Sequence, residues 1–157
     1  MDKTVLIVED CRPQLAMLEK LVLEVKPETK VYPVDNIDAA YAVMLKKTID
    51  VFIIDIILDT TKPGDTSGIE LAKRIREIEK YLLAPIIFVT SMEDTTKYAY
   101  TNLNCLGYVE KPFSPDRVKE LVEKALHHTT DKRGNASICF GKDRILYPVK
   151  IDEILYI

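Results

Sequence analysis

Short runs of apolar residues alternate along this chain with segments in which apolar residues recur at every third or fourth position. The runs lie at 5–8, 30–34, 51–55, 86–89 and 106–110. Short, continuous runs rich in β-branched residues are typical of parallel strands that are covered on both faces. The alternation predicts an α/β fold in which helices lie on both faces of one doubly wound, five-stranded parallel sheet.

The segments between and after these runs predict five helices. They lie at about 13–26, 38–47, 69–78, 94–103 and 114–126. Pro13 suits a first helical turn, where its missing N–H does no harm, and Pro27 closes the same helix. Pro33 cannot donate to a strand ladder, so the second run is predicted to be an edge strand or to end near this residue.

Polar side chains with related chemistry stand at the ends of four of the runs. Glu9 and Asp10 follow the first, Asp55 ends the third, Thr90 follows the fourth and Lys111 follows the fifth. Sites in such sheets form at the carboxyl ends of the strands, so these side chains are expected to converge at one edge. Gathered carboxylates repel one another, and a hard divalent cation such as Mg²⁺ relieves that repulsion. A carboxylate can also attack phosphorus directly.

This ordered set of an acid pair, a lone Asp, a Thr and a Lys-Pro resembles the receiver domain of bacterial two-component response regulators. The resemblance covers about residues 3–128 and implies a flavodoxin-like sheet with strand order 2-1-3-4-5. It implies that Asp55 is the phosphoacceptor and that Asp10 is a direct Mg²⁺ ligand. Glu9 would act mainly through bound water, and the backbone carbonyl of Ile57 would be a further ligand.

The same resemblance implies how phosphorylation is sensed. Thr90 and Lys111 would contact phosphoryl oxygens, Tyr108 would move inward as Thr90 approaches, and the peptide bond before Pro112 would be cis. The expected function is a phosphorylation-dependent signalling switch whose partner is a sensor histidine kinase. Such a domain catalyses only its own phosphotransfer and dephosphorylation and is not otherwise an enzyme. The resemblance leaves room for a homodimer.

Two other classes of protein share parts of this pattern. A Mg²⁺-dependent phosphatase with an Asp nucleophile typically carries a second Asp two residues later, where this chain has Ile57. A flavodoxin-like cofactor binder would need a phosphate loop rich in Ser, Thr or Gly after the first strand. The segment Glu9-Asp10-Cys11-Arg12 would instead repel a phosphate unless metal is bound.

The segment after Asp55 departs from the family pattern. The loop at 56–68 is several residues longer than usual, and Asp59 and Asp65 add charge near the site. Ser91 follows Thr90 where a smaller Ala is common. The longer loop and its added charge predict unusual kinase recognition or an unusual phosphate lifetime.

Composition places the chain among globular proteins. Hydrophobic residues make up 47% and charged residues 30% of 157 residues, with a net charge of -3 that gives no case for general nucleic-acid affinity. No apolar run approaches the roughly 18 residues of a membrane span, and the N-terminus lacks the form of a signal peptide. Three cysteines without CxxC spacing predict reduced thiols. A cytoplasmic protein without membrane contact is expected.

The tail differs from the rest of the chain. Residues 129–136 are polar and are predicted to link the receiver domain at 1–128 to a short β-rich extension, with strands at 138–140, 144–149 and 154–157. The segment at 137–157 resembles the opening of a LytTR-type DNA-binding domain, most closely at 152–157. Such a domain needs on the order of 100 residues. We therefore expect the full-length protein to control transcription and to bind DNA only through the missing C-terminal part.

Overall fold

Five parallel strands form the centre of the fold in a computed structural model, which describes residues 2–59, 61–62, 64–90, 105–134, 137–139 and 148–150. The strands are β1 (Thr4–Val8), β2 (Lys30–Val34), β3 (Val51–Asp55), β4 (Ile86–Thr90) and β5 (Gly107–Glu110). Their order is β2-β1-β3-β4-β5, and every neighbouring pair is parallel. This arrangement confirms the predicted fold. Pro33 lies in the edge strand β2, as expected.

The described helices lie close to the predicted segments. They are α1 (Arg12–Val25), α2 (Ile37–Lys46), α3 (Ser67–Arg76) and α4 (Pro115–Gly134), with a 3-10 turn at Glu79–Tyr81. The helix predicted at 94–103 lies outside the described residues. None of the helices in the described part is long and apolar enough to cross a membrane.

Helix α4 is longer than its apolar face predicts. It continues through 129–134, most of the segment predicted to be a linker. The sequence from His127 to Arg133 contains no Gly or Pro, and Gly134 is the first residue there that favours an end. Polar composition therefore did not mark the end of the helix, because polar residues other than Gly and Pro do not by themselves end a helix. The division into domains stays a prediction.

The core has two layers, one on each face of the sheet. Successive strand residues point to opposite faces, so Leu6 packs with α2 and α3 while Ile7 packs with α1 and α4. All five residues of β3 are buried. This central strand is therefore covered on both sides, which explains why its sequence is continuously apolar up to Asp55.

Two side chains hold the segment that connects α3 to β4. The hydroxyl of buried Tyr81 accepts a hydrogen bond from Ile49 N at 3.0 Å, and its ring meets Phe52 edge-on at 5.1 Å. Arg76 donates to the carbonyls of Tyr81 and Ala84 at 2.8 Å each. Burial lowers the pKa of Arg76 to about 10, so the guanidinium stays charged at neutral pH.

The described part of the tail contains two short strands. Strand β6 (Ser137–Cys139) pairs antiparallel with β7 (Pro148–Lys150). They overlap the predicted strands at 138–140 and 144–149. The predicted turn between them and the strand at 154–157 lie outside the described residues.

Candidate functional site

Four charged side chains meet at the carboxyl edge of the sheet. Glu9 and Asp10 follow β1, Asp55 ends β3 and Lys111 follows β5. The sheet order places β3 at the centre, so its last residue stands between the ends of its neighbours. Glu9 is fully buried and Asp55 is 3% exposed, while Asp10 is half-buried. The structure therefore brings together the acids and the lysine that the sequence placed at strand ends.

Lys111 pairs with both buried acids. Its Nζ lies 2.8 Å from Asp55 Oδ2 and 3.2 Å from Glu9 Oε2, and its side chain is 18% exposed. The Lys111–Pro112 peptide bond is cis, which is the isomer that the resemblance implies. An ammonium group in this position balances part of the negative charge that β1 and β3 deliver.

The backbone that follows each acid also binds it. Ile57 N donates to Asp55 Oδ1 at 3.1 Å, and Cys11 N donates to Glu9 Oε2 at 3.1 Å. Each carboxylate is therefore held by the amide two residues further on, at the point where its strand turns into a loop. These bonds fix the orientation of both side chains before any ligand binds.

Burial raises the pKa of both fully enclosed acids. Burial, and then the charge of Asp55, raise the pKa of Glu9 from 4.5 to about 8. Burial also raises the pKa of Asp55, although the hydrogen bond from Lys111 opposes the shift. Burial lowers the pKa of Lys111, but its bonds to Asp55 and Glu9 outweigh that effect and raise it overall. Without a metal, Glu9 therefore keeps its proton to a higher pH than an ordinary carboxyl group does.

This proton makes stability depend on pH. The pKa of Glu9 is higher in the folded protein than in the unfolded chain, so the stabilisation present below about 4.5 is lost as pH rises to about 8. Glu9→Gln copies the protonated form. We expect the variant to be more stable than the unchanged protein by roughly 1–3 kcal/mol near pH 8. The measurement is urea unfolding in EDTA at several pH values, where the difference should shrink as the pH is lowered. A difference that does not change with pH would contradict this account.

The three acids fit a hard divalent cation. Glu9, Asp10 and Asp55 each offer one oxygen, and these oxygens all lie within 4.8 Å of one another. Glu9 Oε1 is buried and receives no hydrogen bond, although it lies 3.1 Å from Lys111 Nζ. A buried oxygen without a hydrogen bond and a raised pKa are both signs of negative charge that the protein leaves incompletely balanced. Oxygen ligands of this kind suit Mg²⁺.

Gly68 lets helix α3 approach the end of β3. Gly68 N donates to Ile56 O at 2.9 Å. A Cβ at this position would overlap the carbonyl oxygen of Asp55 and would lie 2.7 Å from Ile56 Cα. Sequence reasoning did not single out this residue. The available signal was a glycine next to a helix start, at the end of the predicted loop that follows Asp55.

Asp65 organises the long loop between β3 and α3. Its Oδ2 accepts hydrogen bonds from Leu58 N and Asp59 N, both at 3.1 Å, and from the Ser67 hydroxyl at 2.6 Å. Burial opposes ionisation, but these bonds outweigh it and lower the pKa of Asp65. Asp59 binds Thr61 N and Oγ1. Both acids, predicted only as added charge, therefore have bonds within the loop.

The two predicted switch residues lie on neighbouring strands. The backbone of Thr90 ends β4 in register with Glu110 of β5, while the Thr90 side chain lies outside what the structure describes. Tyr108 is half-buried and packs against the layer formed with α2 and α3. Ser91 lies outside the described residues.

A family model for the response regulator receiver domain matches residues 5–123. The match covers most of the chain and includes every residue of the four-residue site. The chain belongs to the response regulator receiver family.

Similarity to individual relatives covers nearly the whole chain, beyond the residues that the family model matches. The phosphate regulon transcriptional regulatory protein PhoB of Pseudomonas aeruginosa is 32% identical over an alignment of 154 positions, which covers 96% of this chain and 64% of that protein. The sensory transduction protein LytR of Staphylococcus haemolyticus is 25% identical, over 97% of this chain and 62% of that protein. The chain thus spans less than two thirds of the length of these two relatives.

Solved receiver structures share the fold. The signal receiver domain of a modulated diguanylate cyclase from Desulfovibrio desulfuricans G20 is 30% identical, with a TM-score of 0.65. The similarity covers 84% of this chain and 99% of that domain. Receiver domains that belong to different output proteins therefore share this scaffold, and the scaffold alone does not specify the output.

Proposed function

We propose that this receiver domain is a phosphorylation-dependent switch in which Asp55 accepts a phosphoryl group from a sensor histidine kinase. The observation that carries the proposal is a buried carboxylate paired with a cation at the end of the central strand, where Asp55 Oδ2 lies 2.8 Å from Lys111 Nζ. Membership of the receiver family and the neighbouring acids Glu9 and Asp10 support the same conclusion.

The residues of this chain have separate roles in the transfer. A bond forms between an Asp55 oxygen and phosphorus as the bond from phosphorus to the kinase imidazole nitrogen breaks, and the imidazole leaves with the electron pair. Lys111 can then pair with a phosphoryl oxygen as a point charge. We assign Mg²⁺ to Asp10, Asp55 and the Ile57 carbonyl, with Glu9 acting mainly through bound water. When bound, the ion would neutralise charge on the phosphoryl oxygens.

The switch would follow from the new charge on Asp55. In this proposal the Thr90 hydroxyl donates to a phosphoryl oxygen, and Tyr108 moves inward into the space that Thr90 leaves. Two features support this switch. Thr90 ends β4 and Lys111 follows the adjacent strand β5, and Tyr108 is only half-buried, so part of its side chain can still become buried. The free-energy gap between two such states need only be a few kcal/mol.

A small-molecule phosphodonor tests the function. Incubation with acetyl phosphate and Mg²⁺ should add the mass of one phosphoryl group to the intact protein, as measured by mass spectrometry. EDTA should prevent the addition, because the site would lose the ion that neutralises the incoming charge. An unchanged mass under conditions that label a known receiver domain would refute the proposal.

The phosphatase hypothesis gains no support from the site. Ile57, two residues after Asp55, packs against the hydrophobic layer on one face of the sheet. Its side chain has no titratable group, so it supplies no acid–base step for turnover. A switch that keeps its phosphoryl group for a time fits this position better.

The tail points to transcription control as the output. We propose that 129–136 links the receiver to 137–157, which would begin a LytTR-type DNA-binding domain. Similarity to the sensory transduction protein LytR reaches over 97% of this chain, whereas the receiver match ends at residue 123. The antiparallel pairing of β6 and β7 is consistent with a β-rich domain. DNA contacts would then belong to that domain, and the receiver would regulate them.

A further inference from the structure

One oxygen of Asp65 ties the two ends of the long loop together. Oδ2 accepts from Leu58 N and Asp59 N at the start of the loop, and from Ser67 N at 3.3 Å and Ser67 Oγ at 2.6 Å at the start of α3. Hydrogen bonds to an ionised acceptor are stronger than neutral ones. The loop that follows the proposed phosphoacceptor is therefore closed by a single carboxylate.

The bond to Leu58 N bears directly on the neighbouring residue Ile57. The Leu58 N–H and the Ile57 carbonyl belong to the same peptide group, which is planar and trans. The two point in opposite directions in such a group, so directing the N–H at Asp65 directs the carbonyl away from it. On its other side, Ile57 N donates to Asp55 Oδ1 at 3.1 Å. Both peptide groups that flank Ile57 are thus held by carboxylates.

We infer that Asp65 is a positioning residue for the metal site: its hydrogen bond to Leu58 N orients the Ile57 carbonyl for Mg²⁺. The inference rests on the proposed function, in which that carbonyl is a ligand. Asp65 itself is not one of the three acids whose oxygens cluster at the site. Gly68 N anchors Ile56 O independently at 2.9 Å. Loss of Asp65 should therefore release the Ile57–Leu58 peptide without detaching α3 from β3.

Five single substitutions together separate this role from general ordering of the loop. Asp65→Ala removes the acceptor of the Leu58 N–H. Ser67→Ala removes one bond to Asp65 but leaves the Leu58 bond, and Asp59→Ala removes the contacts with Thr61. Asp65→Asn keeps an acceptor oxygen and serves as the conservative variant. Asp10→Ala removes a proposed direct ligand and shows how far Mg²⁺ binding weakens when a ligand itself is lost.

Mg²⁺ binding to each whole-chain variant, measured by isothermal titration calorimetry, is the first test. Loss of a side chain that orients a metal ligand typically weakens binding about 10–100-fold. We expect Asp65→Ala to weaken Mg²⁺ binding about 10-fold, Asp65→Asn to recover part of the loss, and Ser67→Ala and Asp59→Ala to bind like the unchanged protein.

Hydrogen exchange of the Leu58 amide without metal is the second test. Exchange should become faster in Asp65→Ala and stay slow in Ser67→Ala. Unchanged Mg²⁺ affinity in Asp65→Ala would overturn the inference and leave the proposed function standing. Equal losses in Asp65→Ala, Ser67→Ala and Asp59→Ala would do the same. An unchanged protein that binds no Mg²⁺ would overturn both.

Discussion

Asp55→Asn should abolish phosphoryl uptake while leaving the fold intact. Asparagine has nearly the same shape and keeps an oxygen that can accept the bond from Ile57 N. Its amide is not a nucleophile, and its NH₂ group cannot accept the bond that Lys111 donates at 2.8 Å. Labelling by acetyl phosphate, followed by mass spectrometry, should therefore fall to background. This is the largest effect on function that we expect from any single substitution.

The matched control for this variant is Asp59→Asn. Asp59 lies in the same part of the chain, but its carboxylate binds Thr61 in the loop and has no contact with Lys111 among the described bonds. The Asp59→Asn variant should accept a phosphoryl group as readily as the unchanged protein does. Peptide mapping of the unchanged protein should place the added mass on the segment that contains Asp55. Labelling of Asp55→Asn to the level of the control would mean that another acid is the acceptor.

The scaffold was predictable because its central strands β1, β3 and β4 are buried on both faces. β3 is apolar at every position up to Asp55, since both neighbouring layers of helices cover it. The apolar runs predict that these strands exist, but they do not predict which strand lies beside which. The strand order came from the resemblance of the site residues to a family. The end of α4 was the main misplaced boundary, since its last turns have no apolar residue to mark them.

The charged part of the site was visible because each residue stands at the end of a strand or just after it. Glu9, Asp10, Asp55 and Lys111 could be placed at one edge from the α/β pattern alone. The degree of burial was not visible, because it depends on how the following loops close over the strand ends. Full burial of Glu9 is what raises its pKa to about 8, and the sequence contains no sign of it.

The supporting residues of the loop were less predictable. Asp65 and Gly68 contact backbone atoms, which carry no sequence signal of their own. Ser67 and Glu70 have the spacing of a capping box, yet Ser67 is already the first helical residue and Asp65 accepts its N–H. The interaction depends on how α3 docks against the end of β3, and local pattern alone does not specify that docking.

Gly68→Ala should destabilise the protein strongly. The added Cβ would overlap the Asp55 carbonyl oxygen and approach Ile56 Cα to 2.7 Å. These atoms belong to the buried central strand and its continuation, so no side-chain rotation can make room. Forcing extra atoms into packed structure typically costs about 1–3 kcal/mol and occasionally more. A clash with rigid backbone places the expected loss at about 3 kcal/mol or above.

Gly64→Ala is the matched control for this loop. Gly64 has a φ of 69°, but a Cβ there would meet nothing within 4 Å. Its expected cost is therefore only the left-handed backbone conformation, about 1–2 kcal/mol. Urea unfolding should show that Gly68→Ala is less stable than Gly64→Ala, and that both are less stable than the unchanged protein.

If α3 instead shifts outward to accommodate the methyl group, the hydrogen bond from Gly68 N to Ile56 O at 2.9 Å is lost and Asp55 loses its support. Phosphoryl uptake should then fall together with stability, whereas a Gly68→Ala protein as stable as the Gly64→Ala control would show that the close approach is not needed.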